Sequence, residues 1–453
     1  MTGEPQQAAR SKRESELLER AQSALRSAPG DGALLLVYAS TSALTRFTAN
    51  HIHQNVATDN VGVTAKVIVG DRVGVASTNA LETRALKRVL RQAAEVARSL
   101  GRPSEQAVLA SPRPLPRALP ESDHARAHWQ PRARALAVKG IVKRAAKAKA
   151  EAAGALSEAC DVFAVANTLG VALATTLSQA ELNLVVSKGQ GTGFAYAVAR
   201  YPDELPVEMT AERALGKCLL NQDPVDLPAG EYTAILEPDA VGELVSFLGY
   251  LGFGAKAVQE GRSFVCGKLG QAITGDQFTL WDDGWDTGGL PLPFDFEGVP
   301  KEKVTLIDRG VARSIVYDTA TARKDNVSST GHALGPGSTS GPMPLNLFVG
   351  PGDSSLEEMV SRTERGLLVT RFHYTNVVER MRAVLTGMTR DGTFLIEDGR
   401  VSRPVKNFRF TESVLEAFSR IEAVSRERQL VQGPVLAPAV KVRAFRFSGT
   451  TEF

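Results

Sequence analysis

Histidine is scarce in this chain, six in 453 residues, so imidazole chemistry has few places to reside. His51 and His53 are two apart on a predicted strand and therefore share a face, an arrangement that could chelate a metal. No third ligand is visible nearby, and hydrogen-bonded strand residues explain the pair more simply. With Glu243 brought in from elsewhere, His51, His53 and Glu243 form the one alternative metal set on offer. His332 lies in a long loop, where it could reach a bound peptide or stabilise the loop itself. His373 follows an apolar strand and reads as structural, while His124 and His128 fall in a proline-rich linker. Asp282, Asp283, Asp286, Asp295 and Glu297 could bind calcium, but their spacing is not that of an EF-hand, and Asp-Gly turn chemistry accounts for them better. The glycine-rich turns at 189–193 and 335–341 complete neither a dinucleotide fingerprint nor a phosphate loop, and there is no Gly-x-Ser-x-Gly elbow. Cys266, predicted on or beside an apolar strand with no histidine close in sequence, does not read as a nucleophile.

The remaining candidate positions open a helix inside the stretch 231–270, which reads as strand, helix, turn and strand. Pro238 sits in the first turn, where an N–H would be unbonded anyway. Asp239 suits the positive helix start, and Val241, Leu244, Val245 and Leu248 make a stripe that faces a core. Upstream, a first amphipathic helix carries Leu17, Leu18, Ala21, Ala24 and Leu25, followed by an apolar strand at 33–39 and period-two alternation over 45–77. Asn79 and Glu82 resemble a capping box for a helix striped by Leu86, Val89, Leu90 and Ala93. Residues 101–134 are rich in proline and arginine and are expected to be an exposed connection, followed by a basic helix to about residue 158. Two strands over 161–186 and a helix at 210–220 precede the proline-rich passage 223–228, which marks the main domain boundary. Beyond residue 270 strands dominate, with hairpins at Arg309-Gly310 and Asp398-Gly399, a Ser355/Glu358 cap, and a last helix striped by Val414, Leu415, Phe418 and Ile421. The glycine- and proline-rich loop 328–344 is too long for a plain connector and is expected to line or cover something.

Several passages carry a family resemblance: RFTANHIHQN and VIVGDRVGVAST near the N-terminus, then DFEGVP, STGHALG, NLFVGPG, RGLLVTRF, TGMTRDGTFLIEDGR and RPVKNFRFTESVLE. In this order they resemble the TldD/PmbA family (PmbA is also called TldE), formerly labelled modulators of DNA gyrase. In the catalytic branch of that family the helix carries His-Glu-x-x-x-His. With the shared Ala240-Val241-Gly242 setting the register, the matching positions here are Pro238, Asp239 and Glu243. Proline has no ligand atom, and two carboxylates without imidazole make a poor zinc site. A C-terminal cysteine that can complete the metal site in the catalytic branch has no counterpart after Val401. The resemblance therefore implies a non-catalytic, metal-free TldE-like subunit that pairs with a catalytic TldD-like subunit holding zinc or a similar metal. Its implied substrate is unfolded peptide, including leader peptides of modified peptides. His332, Asn346 and Arg371 are the candidates for a peptide cleft.

The expected fold class is α+β, with an N-terminal domain at 1–222, an antiparallel sheet flanked by helices, and a β-rich C-terminal domain at 223–453. A net charge of +3 gives no footprint for nucleic acid, and no apolar run approaches a membrane span. Three widely spaced cysteines and the lack of an apolar h-region near the N-terminus lead us to expect a cytoplasmic protein.

Overall fold

The computed structural model describes residues 11–120, 126–431 and 433–450. His124 and the first ten residues lie outside them. The protein is α+β. In the N-terminal half α1 (Lys12–Leu25), β1 (Gly32–Thr48), β2 (His51–Val69), β3 (Arg72–Thr78), α2 (Thr83–Ser99), α3 (Pro131–Lys147), β4 (Glu151–Asn167), β5 (Ala172–Lys188), β6 (Gly191–Ala199) and α4 (Val207–Leu220) follow one another. The six strands form one antiparallel sheet in the order β3-β2-β1-β4-β5-β6. Because side chains alternate across a strand, each strand splits its residues between two environments. Leu35, Val37, Val162 and Ala164 pack under α1 and α2, while Leu156, Leu182 and Leu184 on the same face pack under α3 and α4. Leu34, Phe163 and Val165 point the other way, onto Phe294 of the C-terminal half.

Several local expectations are corrected here. The cap of α2 is Glu82, with no side-chain cap bond, so Asn79 and Glu82 are not a capping box. The basic helix ends at Lys147, and residues 151–158 already belong to β4, because their small residues alternate and pair with β1 and β5. Of the connection expected over 101–134, residues 101–120 are a strap rather than an exposed tether, and 131–134 already belong to α3. Leu109 and Ala110 are buried, the Lys66 ammonium donates to Val108 O (3.0 Å), and Asn167 donates to Ala110 O (2.7 Å). Further along, Arg113 donates to Ser329 O (2.8 Å) and the Arg117 guanidinium lies over Trp285.

The C-terminal half comprises β7 (Gly230–Leu236), α5 (Pro238–Gly252), α6 (Ala255–Gln259), β8 (Leu280–Asp282), β9 (Val304–Asp308), β10 (Val311–Ala312), α7 (Thr319–Asp325), β11 (Leu347–Val349), α8 (Leu356–Ser361), β12 (Arg365–Glu379), β13 (Val384–Glu397), β14 (Arg400–Pro404), β15 (Phe408–Ser413), α9 (Val414–Ser419), β16 (Ile421–Val431) and β17 (Val435–Thr450). The expected strand near residue 265 is absent: after α6 the chain runs in turns, and Cys266 Sγ faces Val258 O at 3.5 Å. Ile421 is corrected from the last helix to the start of β16, since α9 stops at Ser419. The hairpins at Arg309-Gly310 and Asp398-Gly399 and the Ser355/Glu358 capping box are present. Five strands close on themselves, with β17, β15, β13 and β12 in sequence and β7 pairing both β12 and β17. The ring leaves no open edge along the paired segments and wraps an aromatic core of Phe372, Phe408, Phe410, Phe445 and Phe447. α5 lays Val241, Leu244, Val245 and Leu248 onto the same core. No helix among the described residues is long and apolar enough to cross a membrane.

The long loops are tied to one carboxylate. Asp282, at the end of β8, accepts from His332 Nε2 (2.9 Å) and from the Asn346 backbone N–H (2.7 Å), with the Lys301 ammonium at 3.4 Å. Lys301 also donates to the Asn346 side-chain oxygen (2.8 Å). Burial by itself would raise the Asp282 pKa, but Lys301, His332 and the Asn346 N–H outweigh it and hold the carboxyl below its usual range. Burial and the Lys301 charge push His332 down, so at neutral pH its ring is uncharged, donating to Asp282 and accepting from Thr330 Oγ1. Asp282→Ala leaves the Lys301 ammonium, whose side chain is 1% exposed, without its counter-charge. The expected loss is about 3–5 kcal/mol, read as a lowered urea midpoint. The Asp282→Leu/Lys301→Met double variant should recover part of that loss.

Candidate functional site

β7 delivers the chain into α5 with Glu237 as its N-cap, its N–H bonded to Val369 O of β12 (3.0 Å). Pro238 occupies the first helical position and offers no donor atom. Glu237 is buried and ion-paired with Lys217 of α4. Asp239 is only 3% exposed. Burial raises its pKa to about 6; Arg213, Lys217 and Arg371 pull it down and Glu237 pushes it up. One turn later Glu243 lies on the same helix face. Its pKa is also raised by burial, against the opposing influence of the Thr375 hydroxyl and the Arg371 guanidinium. Further along, Tyr250 accepts from Arg380 Nη2 at 3.1 Å, joining the helix to the β12–β13 hairpin.

Three cations therefore converge on the two carboxyl groups. Arg371 is gripped by Asp391 through two nitrogens on one oxygen, and its guanidinium lies 4.1 Å over the ring of Phe194 in β6. Arg213 donates to Gln429 Oε1 (2.7 Å) and to Tyr196 O (2.9 Å), an acceptor that Gln429 shares. The site is thus built across the seam between the two halves of the chain. It supplies its own positive charge where a metal ion would otherwise balance Asp239 and Glu243. A proline, two carboxyls and three fixed cations do not fit a zinc ion, which prefers imidazole or thiolate and is repelled by neighbouring ammonium and guanidinium groups. Among the described residues no three His, Cys, Asp or Glu side chains gather as a possible metal site.

The other sequence candidates are dispersed. His51 and His53 are exposed on β2, with His51 Nδ1 2.6 Å from Ala49 O, while Glu243 lies on α5, so the alternative set His51, His53 and Glu243 is not assembled. His332 and Asn346 meet at Asp282, 1% and 3% exposed. Arg371 alone of the three cleft candidates adjoins Asp239 and Glu243. Arg213, Lys217 and Glu237 were missed in the sequence. The sequence places a helix at 210–220, and no local pattern marks Arg213 or Lys217 as aimed at α5.

Two family models match the chain: PmbA/TldA metallopeptidase C-terminal domain over residues 229–449, and PmbA/TldA metallopeptidase domain 1 over residues 33–97. A metalloprotease of Methanothermobacter thermautotrophicus is 27% identical over 265 residues, 55% of this chain and 56% of the relative. A metalloprotease TldD homolog of Haemophilus influenzae is 26% identical over 259 residues, 53% of each chain. The chain spans about half the length of these curated relatives. The crystal structure of TldE from Thermococcus kodakarensis shares the fold, with a TM-score of 0.83, 23% identity and coverage of 96% of this chain and 99% of that one.

The raised pKa of Asp239 sets the sign of a stability effect. A carboxyl that holds its proton more tightly when folded favours the fold at low pH, and that contribution is lost as pH rises from about 4 to about 6. Asp239→Asn should therefore be more stable than the parent at pH 7.5, by roughly 3 kcal/mol at most, with the advantage fading as the pH is lowered through 6 towards 4. Thermal melts across that range provide the measurement.

Proposed function

The chain belongs to the PmbA/TldD metallopeptidase family, and from that premise we propose that it is the metal-free, non-catalytic TldE-like subunit of a heterodimeric metalloprotease that cleaves unfolded peptides. The observation that carries this reading is the start of α5. Pro238 has no donor, Asp239 is buried against Arg213 and Lys217, and Glu243 faces Arg371. In this reading the catalytic TldD-like partner holds the metal, and this chain shapes the peptide-binding space. Arg371, held by Asp391 and lying over Phe194, sets a fixed positive charge beside Asp239 and Glu243. His332 and Asn346 act from behind, keeping the 328–346 loop in place through Asp282.

An extended peptide also has a backbone partner available. β3 pairs with β2 only over Val63–Val69, so residues 51–60 form a sheet edge with no strand beside it among the described residues. Backbone hydrogen bonds along such an edge hold a chain without demanding a sequence.

The purified chain is expected to leave an unfolded peptide intact with or without added zinc, and to retain less than about one-tenth equivalent of any transition metal. Cleavage should appear on mixing with a subunit that carries His-Glu-x-x-x-His. Cleavage by this chain alone, abolished by a chelator, would sink the proposal.

A further inference from the structure

A cavity of about 200 Å³ lies on the seam between the two halves, away from α5. Leu34, Val73 and Val75 of the N-terminal sheet form an apolar wall, the glycine- and serine-rich segment 334–341 crosses another side, and Lys66, Glu297 and Asp318 supply the charge. All three charged residues are more than nine-tenths buried, at 4%, 7% and 4% exposure. Groups so deeply buried are normally fully paired, because an unsatisfied charge in a low-dielectric site is costly.

Here the pairing is incomplete, and the deficit has one sign. Lys66 Nζ spends one donor on Val108 O (3.0 Å) and stands 3.8 Å from Glu297 Oε1, beyond hydrogen-bond reach. Glu297 Oε2 accepts from the Thr319 N–H (3.1 Å), and Oε1 has no hydrogen-bond donor among the described residues. Asp318 Oδ1 accepts both from the Thr321 N–H (2.7 Å) and from its hydroxyl (2.6 Å), which leaves Oδ2 with none among the described residues. Two carboxylates against one ammonium leave a surplus negative charge. Next to Glu297, Asp295 is fully buried, and burial first and the Glu297 charge second raise its pKa, although its oxygens accept three backbone N–H groups.

We propose that this cavity binds a small molecule bearing a primary ammonium group beside a branched apolar chain, the ammonium held by Glu297 Oε1 and Asp318 Oδ2 and the chain lying against Leu34, Val73 and Val75. The fit follows from donor count as well as charge. An ammonium brings three N–H donors to two acceptors that lack them, whereas a carboxylate ligand would add a third anion beside a single, already bonded lysine. The space, worth on the order of half a dozen waters of liquid volume, suits a molecule the size of an amino-acid amide.

Calorimetry on the full chain tests this with three probes of one skeleton: L-leucinamide, which is cationic, the neutral 4-methylpentanamide, and the anionic 4-methylpentanoate. Leucinamide should bind saturably and at least about tenfold more tightly than either of the others. Glu297→Gln should weaken it by about tenfold or more, and Val75→Trp, which fills the cavity from its apolar wall, should abolish binding while the circular dichroism spectrum stays that of the parent. Equal binding of the neutral amide, undiminished binding to either variant, or no heat from leucinamide at millimolar concentration overturns the proposal. If Glu297→Gln does not fold, Val75→Trp and the probe series decide the matter. Peptide cleavage is not part of this readout, so its outcome is separate from that of the subunit assignment.

Discussion

The Asp282 carboxylate, wholly buried at the end of a three-residue strand, is the point on which the irregular half of this molecule hangs. It gathers Lys301 from the end of one long loop, His332 from the middle of another and the backbone of Asn346 just before β11. None of these segments has enough regular hydrogen bonding to hold itself, and a long loop must be anchored to be ordered at all. The loops it anchors also carry Phe294 and Phe296, which pack on Phe163 of the N-terminal sheet, and Glu297, which stands across the seam from Lys66. The loops that form the interface between the halves are thus the same loops that the buried charge pair holds.

The same economy of charge shapes the start of α5. A helix N-terminus favours anions, and Asp239 is placed there with Glu243 one turn on, yet the nearby positive charge comes from Arg213, Lys217 and Arg371 of the chain itself. Two of these cations arrive on α4 of the N-terminal half and one on β12 of the C-terminal half. Their convergence stitches the halves together. It also surrounds the start of α5 with the chain's own cations, which oppose but do not outweigh the burial of Asp239 and Glu243, and that is the physical content of the subunit assignment proposed above.

Much of the architecture could be read locally. The stripe on α5, the alternation through β2 and the glycine-bearing hairpins are patterns in which a few neighbouring residues already determine the element. Where a helix or strand was misplaced, a competing local reading had equal claim. The alanine-rich run at 151–158 suits a helix until β1 and β5 pair with it on both sides. Residues around Cys266 look apolar enough for a strand, but their N–H groups close local turns, Cys266 N–H to Ser263 O and Lys268 N–H to Val265 O, and only residues 270–272 reach β10. The strap at 101–120 gives no local sign of burial because its partners, Lys66, Asn167 and Ser329, come from three distant parts of the chain.

The order of residues was enough to establish the α+β class, the family, and the lack of a ligand atom at Pro238, since each rests on identity or on contacts within one turn or one hairpin. Closure of the five-stranded ring, the meeting of His332 and Asn346 at Asp282, the three cations around Asp239 and the charge imbalance beside Lys66 emerged only once the chain was folded. These depend on pairs of residues tens to hundreds of positions apart, and the energy of a buried charge is set by whatever surrounds it in space, which no sequence neighbour reveals.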